Sequence, residues 1–276
     1  MRFFPTVIAS LLGTLIAFGV AFFFLIIIFV GIASTGQTTP AVRSGSVLVV
    51  PVSGIVPQVR PENPFRMLVE GSEVTTLHEI TGSLRAAAQD DRIAAVWLKP
   101  SGVSSPWASL EEISQAVEEV REAGKPVVAS SGATGYSEKD YFIALSADHI
   151  FSPRAARFEL NGFALILQFL KKMLDKLGVE AEAVRAGNFK SAVEPFTRED
   201  PSDENRLQLQ DFLDTHSALF IEYVSRRRGL SPDTVMGWIE AGSIINAARA
   251  NRAGLIDSLL SDHEVEPLLE SLSSSD

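Results

Sequence analysis

The chain contains no cysteine, and this absence excludes several chemistries at once. Without thiols it has no disulfide, no thiol nucleophile and no cysteine-ligated metal. Histidine is also scarce, and no two of the four histidines are three or four residues apart, so the HExxH type of zinc-peptidase motif is missing. We therefore expect neither a metal nor a cofactor, and we interpret the histidines as structural or solvated: His78, His149, His216 and His263.

Charge of either sign is missing from a long stretch near the N-terminus. No charged residue lies between Arg2 and Arg43, and the apolar run at 7–33 is longer than the roughly 20 residues that cross a bilayer core. We predict a short tail at 1–6 and a membrane anchor at 7–33, with the N-terminus on the cytoplasmic side. A cleavable signal peptide is the alternative, but its apolar core is usually about 7 to 15 residues long.

Positive charge is in short supply in the rest of the chain. Without Arg2, 23 basic residues face 34 acidic ones, a net charge of about −11. Such a surface repels nucleic acid and anionic lipid headgroups, so nucleic acid is not an expected partner.

The remaining sequence predicts one α/β domain at 46–270, joined to the anchor by a small, polar linker at 34–45 and followed by a tail at 271–276. Buried-type strands alternate with amphipathic helices, which indicates a mostly parallel sheet. The predicted strands are 47–52, 93–98, 127–130, 149–152 and 179–184. The predicted helices are 74–89, 107–123, 138–146, 165–177, 202–228, one that starts at 231–232, and 245–254. A proline-containing loop is expected at 57–72.

One lysine stands out in the stretch GNFKSAVEPF at 187–196. A lysine amine acts as a base only when it is neutral, and the unperturbed pKa of lysine is about 10.4. Lowering that value by about three units costs the charged form about 4 kcal/mol, through burial or a nearby cation. Lys190 is therefore either a solvated surface amine or a base in a dehydrated, apolar pocket.

The run LNGFALILQFLKKMLDKLGVEAEAVRAGNFKSAVEPF at 160–196 resembles the signal peptide peptidase A family, also called protease IV. The resemblance continues in ADHIFSP at 147–153, SRRRGLS at 225–231, ANRAGLID at 250–257 and HEVEPLLE at 263–270. It covers about residues 46–270.

The resemblance implies a crotonase/Clp-protease-like fold of repeated ββα units that oligomerises, and a serine/lysine peptidase without a cofactor. Lys190 matches the family's general base, which takes the proton from a serine and returns it to the leaving amine. The resemblance also implies a single-pass protein of the bacterial inner membrane whose catalytic domain lies on the periplasmic side and acts on cleaved signal peptides.

The chain departs from the family where the serine should stand. Single-domain members carry Ser-Gly-Gly at the start of the helix before the ADHI strand, whereas this chain has Glu138-Lys139-Asp140. Ser137 is out of register, and Ser191, directly after the lysine, is interpreted as a local polar contact, so no nucleophile is identified. The chain resembles the first, lysine-bearing half of the two-domain members, in which the second half supplies the serine.

Two functions follow as expectations. The first is a membrane-anchored peptidase component that supplies Lys190 and receives its serine from a missing C-terminal half or another chain. The alternative is a catalytically silent scaffold of the same fold. The turn KPSGVSSPW at 99–107 follows a predicted strand, where ligands commonly bind in α/β folds, but its single glycine favours a plain strand-to-helix turn. Acyl-CoA chemistry, which this fold also supports elsewhere, has no binding signature here.

Overall fold

The computed structural model describes residues 3–34, 42–59, 75–184, 186–187 and 189–273. Its contacts divide the chain into two units, Met1–Val42 and Arg43–Asp276. Most of the predicted linker at 34–45 and of the predicted loop at 57–72 lies outside the described residues, as do parts of both predicted tails.

The described residues of the first unit form one helix, α1 (Phe3–Ser34). Within it, Val7–Ile28 has a mean hydropathy of 2.8 over a 22-residue span, long and apolar enough to cross a membrane. An α-helix suits that environment because every central backbone group is bonded within the segment. The helix is compatible with an anchor, and a signal sequence of this length and composition has the same properties.

The second unit is built on a four-stranded parallel sheet with the strand order β1-β2-β3-β5. A second sheet pairs two short strands, β4 and β6, also in parallel. The strands are β1 (Ser46–Gly54), β2 (Ile93–Val103), β3 (Val127–Ser130), β4 (Gly135–Tyr136), β5 (His149–Phe151) and β6 (Arg157–Phe158).

Nine helices of the second unit are described. They are α2 (Leu77–Gln89), α3 (Trp107–Glu122), α4 (Glu138–Ala144), α5 (Lys171–Lys176), α6 (Glu194–Thr197), α7 (Asp203–Arg228), α8 (Pro232–Ala241), α9 (Ala247–Arg252) and α10 (Asp262–Ser273).

The main sheet is covered on both faces, which is why its strands are nearly continuous apolar runs. Alternate residues of β2 enter two different cores, because side chains along a strand point to opposite faces. Val96 and Leu98 join the large core with the buried stripes of α2, α3 and α4. Ala95 and Trp97 pack instead against Val265 and Leu269 of α10. Each fully buried Leu or Ile stabilises the fold by roughly 1.5 to 3 kcal/mol relative to an exposed one.

From β3 onward, the strands enter the two sheets in alternation. β3 lies in the main sheet and β4 in the small one before α4, and β5 and β6 repeat the order. This is the ββα arrangement that the resemblance implies, so the α/β class with a mostly parallel sheet is confirmed. The two-residue strands β4 and β6 were not predicted, because they are too short to produce a periodic pattern.

The prediction for 165–184 is wrong in most of its length. Only α5 is helical within the predicted helix 165–177, and no strand is formed at 179–184 within the described residues. The apolar stripe finds no surface to pack on: Ile166 is 90% exposed and Leu177 is 68% exposed. A short helix without such packing is marginal in water, so the stripe alone does not form one.

Candidate functional site

Lys190 lies on an exposed stretch between Gly187 and α6, with its side chain open to solvent. Its neighbour Phe189 is 53% exposed. Among the residues that the structure describes, Lys190 makes no hydrogen bond or ion pair, so no described serine hydroxyl contacts its amine. The apolar, dehydrated pocket that a lysine base needs is therefore not provided by the described part of this chain.

Glu194, four residues after the lysine, faces the protein interior and is fully buried. Its carboxylate accepts hydrogen bonds from the backbone N–H of Ser202 at 3.0 Å, from the Ser202 hydroxyl, and from the Asn205 side-chain amide at 2.9 Å. Burial raises the pKa of Glu194, but these hydrogen bonds outweigh that effect and hold the pKa below its ordinary value. Glu194 therefore ties the lysine stretch to the start of α7.

Ser191 opens the turn between Lys190 and α6. Its backbone carbonyl accepts the N–H of Glu194 at 3.0 Å, and its side chain is half-buried. This contact agrees with a local structural role. No described base lies in hydrogen-bond contact with its hydroxyl.

Ser137 is the N-cap of α4, and its hydroxyl is engaged in a capping box. The hydroxyl accepts the N–H of Asp140 at 3.2 Å and donates to the Asp140 carboxylate at 2.7 Å. A serine that donates its proton to a carboxylate acceptor, with no lysine or histidine in contact, lacks the usual arrangement of a nucleophile. The hydroxyl serves the helix terminus.

The residues that replace Ser-Gly-Gly all make contacts within the domain. Glu138 accepts the N–H of Asn161 at 2.8 Å, and burial raises the pKa of the Glu138 carboxyl. Lys139 donates to the carbonyl of Ser105 at 2.7 Å and lies over the Trp107 ring. The charged trio thus joins the start of α4 to the loops on either side of it.

The Asp140 carboxylate binds backbone N–H groups at the end of β2. The residue is 2% exposed, and its carboxylate accepts the backbone N–H of Val103 at 2.8 Å and that of Gly102 at 3.2 Å. Gly102 has a φ of +63°, which allows the strand end to turn these N–H groups toward one point. Paired N–H donors at such distances stabilise the oxyanion in acyl transfer. Here the Asp140 carboxylate of the same chain already accepts the hydrogen bonds of both donors.

The end of β2 is therefore closed by the chain's own Asp140 side chain. The strand runs on to Val103, beyond the predicted 93–98, so only 104–106 of the predicted turn at 99–107 connect β2 to α3. Sequence reasoning missed this contact because Asp140 lies 37 residues beyond Val103. The residue types carried only a weak signal: a lone glycine at a strand end, and an aspartate three residues after a helix-capping serine.

A second cluster that combines serine, lysine and aspartate lies at the carboxyl end of β3, beside the middle of β2. Ser130 accepts the Trp97 indole N–H at 2.9 Å and donates to Asp262 at 2.8 Å, while Lys99 pairs with the same carboxylate at 2.6 Å. Ser130 is fully buried. Because its proton is held by Asp262 and Lys99 is ion-paired, the cluster anchors α10 to the sheet and does not form a dyad.

The profile of peptidase family S49 matches residues 119–274, more than half of the chain. The chain belongs to peptidase family S49. The resemblance to signal peptide peptidase A is confirmed, because the chain is 28% identical over 273 residues to Protease 4 of Salmonella typhi and 26% identical over 269 residues to Protease 4 of Haemophilus influenzae. It is also 28% identical over 229 residues to the chloroplastic serine protease SPPA of Arabidopsis thaliana.

This S49 chain spans less than half the length of these curated relatives. The matches include 90%, 91% and 83% of the chain, but only 43%, 43% and 32% of the respective relatives. Among solved structures, a membrane-bound stomatin-specific protease is 15% identical, with a TM-score of 0.46 over 84% of this chain and 86% of the other. A TM-score below 0.5 supports no argument about function.

Proposed function

We propose that this S49 chain is the lysine-bearing part of a membrane-anchored serine/lysine peptidase, with Lys190 as the general base. The serine comes from a second polypeptide or from a C-terminal half outside these 276 residues. The substrates are cleaved signal peptides or other hydrophobic peptides, and the catalytic domain lies outside the cytoplasm of a bacterium. One observation carries the proposal: Lys190 stands in a motif that is specific to the family, and its side chain is exposed. No described serine contacts its amine.

The residues around Lys190 support the proposal that a second polypeptide or a further half of the protein packs against this part of the chain. The segment at 161–197, which we call the arm, presents apolar side chains to solvent: Val184 is fully exposed, Ile166 is 90% exposed and Phe189 is 53% exposed. Apolar surface of this kind commonly marks a site of protein association. A partner that covers the arm would also dehydrate Lys190, which is the condition for a lysine base.

The proposal requires that the chain alone has no reactive serine. The 276-residue chain in detergent should not react with a fluorophosphonate probe, because the Ser137 hydroxyl serves the capping box and Ser130 is buried. Co-expression with a serine-bearing S49 partner should give labelling on the partner, and Lys190→Ala should reduce it. Labelling of Ser137 in the isolated chain would overturn this assignment.

A catalytically silent scaffold is the second candidate. It is favoured by Asp140, which fills the N–H pair of Gly102 and Val103 and leaves no open donor pair at that strand end. In that case the co-expressed partner should be labelled equally in the presence of wild-type protein and of Lys190→Ala.

A further inference from the structure

Glu194 is a buried ionisable group that the proposed mechanism does not use. Its side chain is fully buried, although Lys190, four residues before it, is exposed and Phe189 is 53% exposed. Burial of a carboxylate costs free energy unless hydrogen bonds compensate for the lost water. A buried glutamate in this largely exposed stretch therefore indicates a specific role for its contacts.

The contacts of Glu194 join the lysine stretch to the start of α7. Ser202, the N-cap of that helix, donates its backbone N–H and its hydroxyl to the carboxylate, and the Asn205 side-chain amide donates at 2.9 Å. Burial raises the pKa of Glu194, but these hydrogen bonds lower it by more, so the carboxylate is charged at neutral pH. Hydrogen bonds to a charged acceptor are stronger than those between neutral groups.

The helix to which Glu194 binds has a fixed place in the domain. Its C-terminal half packs in the large core through Phe220, Ile221 and Val224. An α-helix is a continuous hydrogen-bonded rod, so the first turn of α7 keeps a defined position relative to that core. A group that binds this first turn is therefore positioned relative to the whole domain.

A short turn connects the bound carboxylate to Lys190. The backbone N–H of Glu194 donates to the carbonyl of Ser191 at 3.0 Å, and α6 begins at Glu194. On the other side of the lysine, no backbone N–H at 180–184, 186–187 or 189–190 donates to another described backbone group. The described hydrogen bonds that fix Lys190 therefore lie on its C-terminal side, where Glu194 supplies the buried ones that reach beyond the arm.

The position of a lysine base matters as much as its presence. A general base acts only within about 2.6 to 3.2 Å of the proton that it takes. In the proposed enzyme the serine belongs to another polypeptide or to a further half, so the lysine has to be positioned by its own chain. A misplacement of about 1 Å costs on the order of 100-fold in rate.

We propose that Glu194 is a positioning residue of the peptidase. Its carboxylate, bound to Ser202 and Asn205, fixes the turn that carries Lys190 and so sets the place from which the amine reaches the serine. Glu194 acts through the backbone, because the Lys190 amine makes no hydrogen bond or ion pair with any described residue. This inference rests on the proposed function and adds that the fixed position of Lys190 determines the rate.

The first measurement is a distance and requires no activity. Because the chain has no cysteine, Lys190→Cys and Glu112→Cys give two unique sites for nitroxide labels, one in the lysine stretch and one on the exposed face of α3. Pulsed electron spin resonance of the 276-residue chain in detergent measures the distribution of distances between them. Glu194→Ala should broaden this distribution about twofold, because the turn is released locally. Asn205→Ala removes one of the hydrogen bonds and should broaden it less.

Two controls separate local release from a general loss of structure. Glu199→Ala removes an exposed carboxylate that is paired with Lys172 and should leave the distribution unchanged. A second label pair, Glu112→Cys with Glu222→Cys, joins α3 to the core-packed part of α7. Its distance distribution should be the same with and without Glu194→Ala.

The second measurement separates kcat from KM in the chain co-expressed with a serine-bearing S49 partner. Glu194→Ala should lower kcat about 10- to 100-fold and change KM less than about twofold, because it displaces the base and leaves the surfaces that bind the peptide. Adding Glu194→Ala to Lys190→Ala should lower the rate no further, since Glu194 acts through the lysine. Glu199→Ala should leave both constants unchanged.

The inference is wrong if Lys190→Ala lowers the rate but Glu194→Ala does not, and the proposed function then stands. It is also wrong if Glu194→Ala leaves the first distance distribution unchanged, raises KM instead of lowering kcat, or has no more effect than Glu199→Ala. If Glu194→Ala and Asn205→Ala both broaden the second label pair as much as the first, the role of Glu194 is general stability. A rate that Lys190→Ala leaves unchanged would overturn the proposed function and, with it, the positioning role.

Discussion

Asp140 is buried and accepts four hydrogen bonds, two from the strand end and two from Ser137. Replacing it with alanine leaves the N–H groups of Gly102 and Val103 without an acceptor. We expect Asp140→Ala to lower the free energy of unfolding by about 2 to 4 kcal/mol, measured by urea denaturation. The exposed Asp91→Ala serves as the control and should cost little.

A small carboxylate should partly replace the missing side chain. We expect added formate to raise the melting temperature of Asp140→Ala more than that of the wild-type protein or of Asp91→Ala. Equal effects on all three proteins would show that the N–H pair is not an anion site.

Glu194 makes the stability of the lysine stretch dependent on pH. Its pKa is lowered in the folded protein, so its stabilising contribution is fully present above the unfolded value of about 4.3 and is lost as the pH falls through the lower folded value. We expect Glu194→Gln to destabilise the protein at pH 7, and the difference from wild type to shrink below about pH 4. Denaturation at several pH values measures this difference in the free energy of unfolding.

The matched control is Glu199→Gln, an exposed carboxylate whose partner is Lys172 on the surface. It should have a small effect at pH 7. A difference for Glu194→Gln that stays constant down to low pH would mean that the hydrogen bonds to Ser202 and Asn205 do not depend on its charge.

The first part of the arm, at 162–169, differs from the helices of the domain in how few of its backbone groups are bonded. Between 162 and 169, no backbone N–H donates to another described backbone group, whereas α3 has a complete helical pattern. We expect the amides of 162–169 to exchange rapidly with solvent in the isolated chain and to become protected when a serine-bearing partner is present. Hydrogen exchange read by mass spectrometry measures both states.

Amides of α3 are the internal control and should be protected in both states, because their helix is packed in the large core. Slow exchange of the arm in the isolated chain would contradict its unpartnered state. Rapid exchange of these arm amides in both states would show that the partner contacts another part of the chain.

The elements that the sequence predicts correctly are those whose apolar residues are buried in one of the two cores. Residues 93–98 form a continuous apolar run, and 107–123 carry a helical stripe, so β2 and α3 follow from periodicity alone. The stripe at 165–177 looks the same in sequence but has no described surface to pack on. Periodicity reports which face is apolar, not whether a partner surface exists.

The candidate functional site was also predictable from the sequence only in part. The role proposed for Lys190 rests on the motif around it, whereas the contact of Asp140 with Val103 joins residues 37 positions apart and leaves no trace in local patterns. The Glu194 contact with Ser202 spans eight residues and had no periodic signal either. Contacts between distant residues require the fold before they can be recognised.

For the molecule as a whole, we propose that Lys190 acts on a serine supplied by another polypeptide or by a further half. The chain spans less than half of the two Protease 4 relatives, and Lys190 is exposed within the arm, together with apolar side chains. An apolar helix at Val7–Ile28 is compatible with anchoring this reaction at a membrane. A reaction shared between two parts depends on both, so each should be inactive alone.

The most direct measurement is the rate of hydrolysis of a hydrophobic peptide by this chain co-expressed with a serine-bearing S49 partner. Lys190→Ala should lower the rate at least about 100-fold, the usual contribution of a general base. Lys176→Ala removes the same charge from an exposed lysine of the arm and should leave the rate unchanged. Undiminished hydrolysis with Lys190→Ala, or an equal loss with Lys176→Ala, would contradict the assignment of Lys190 as the base.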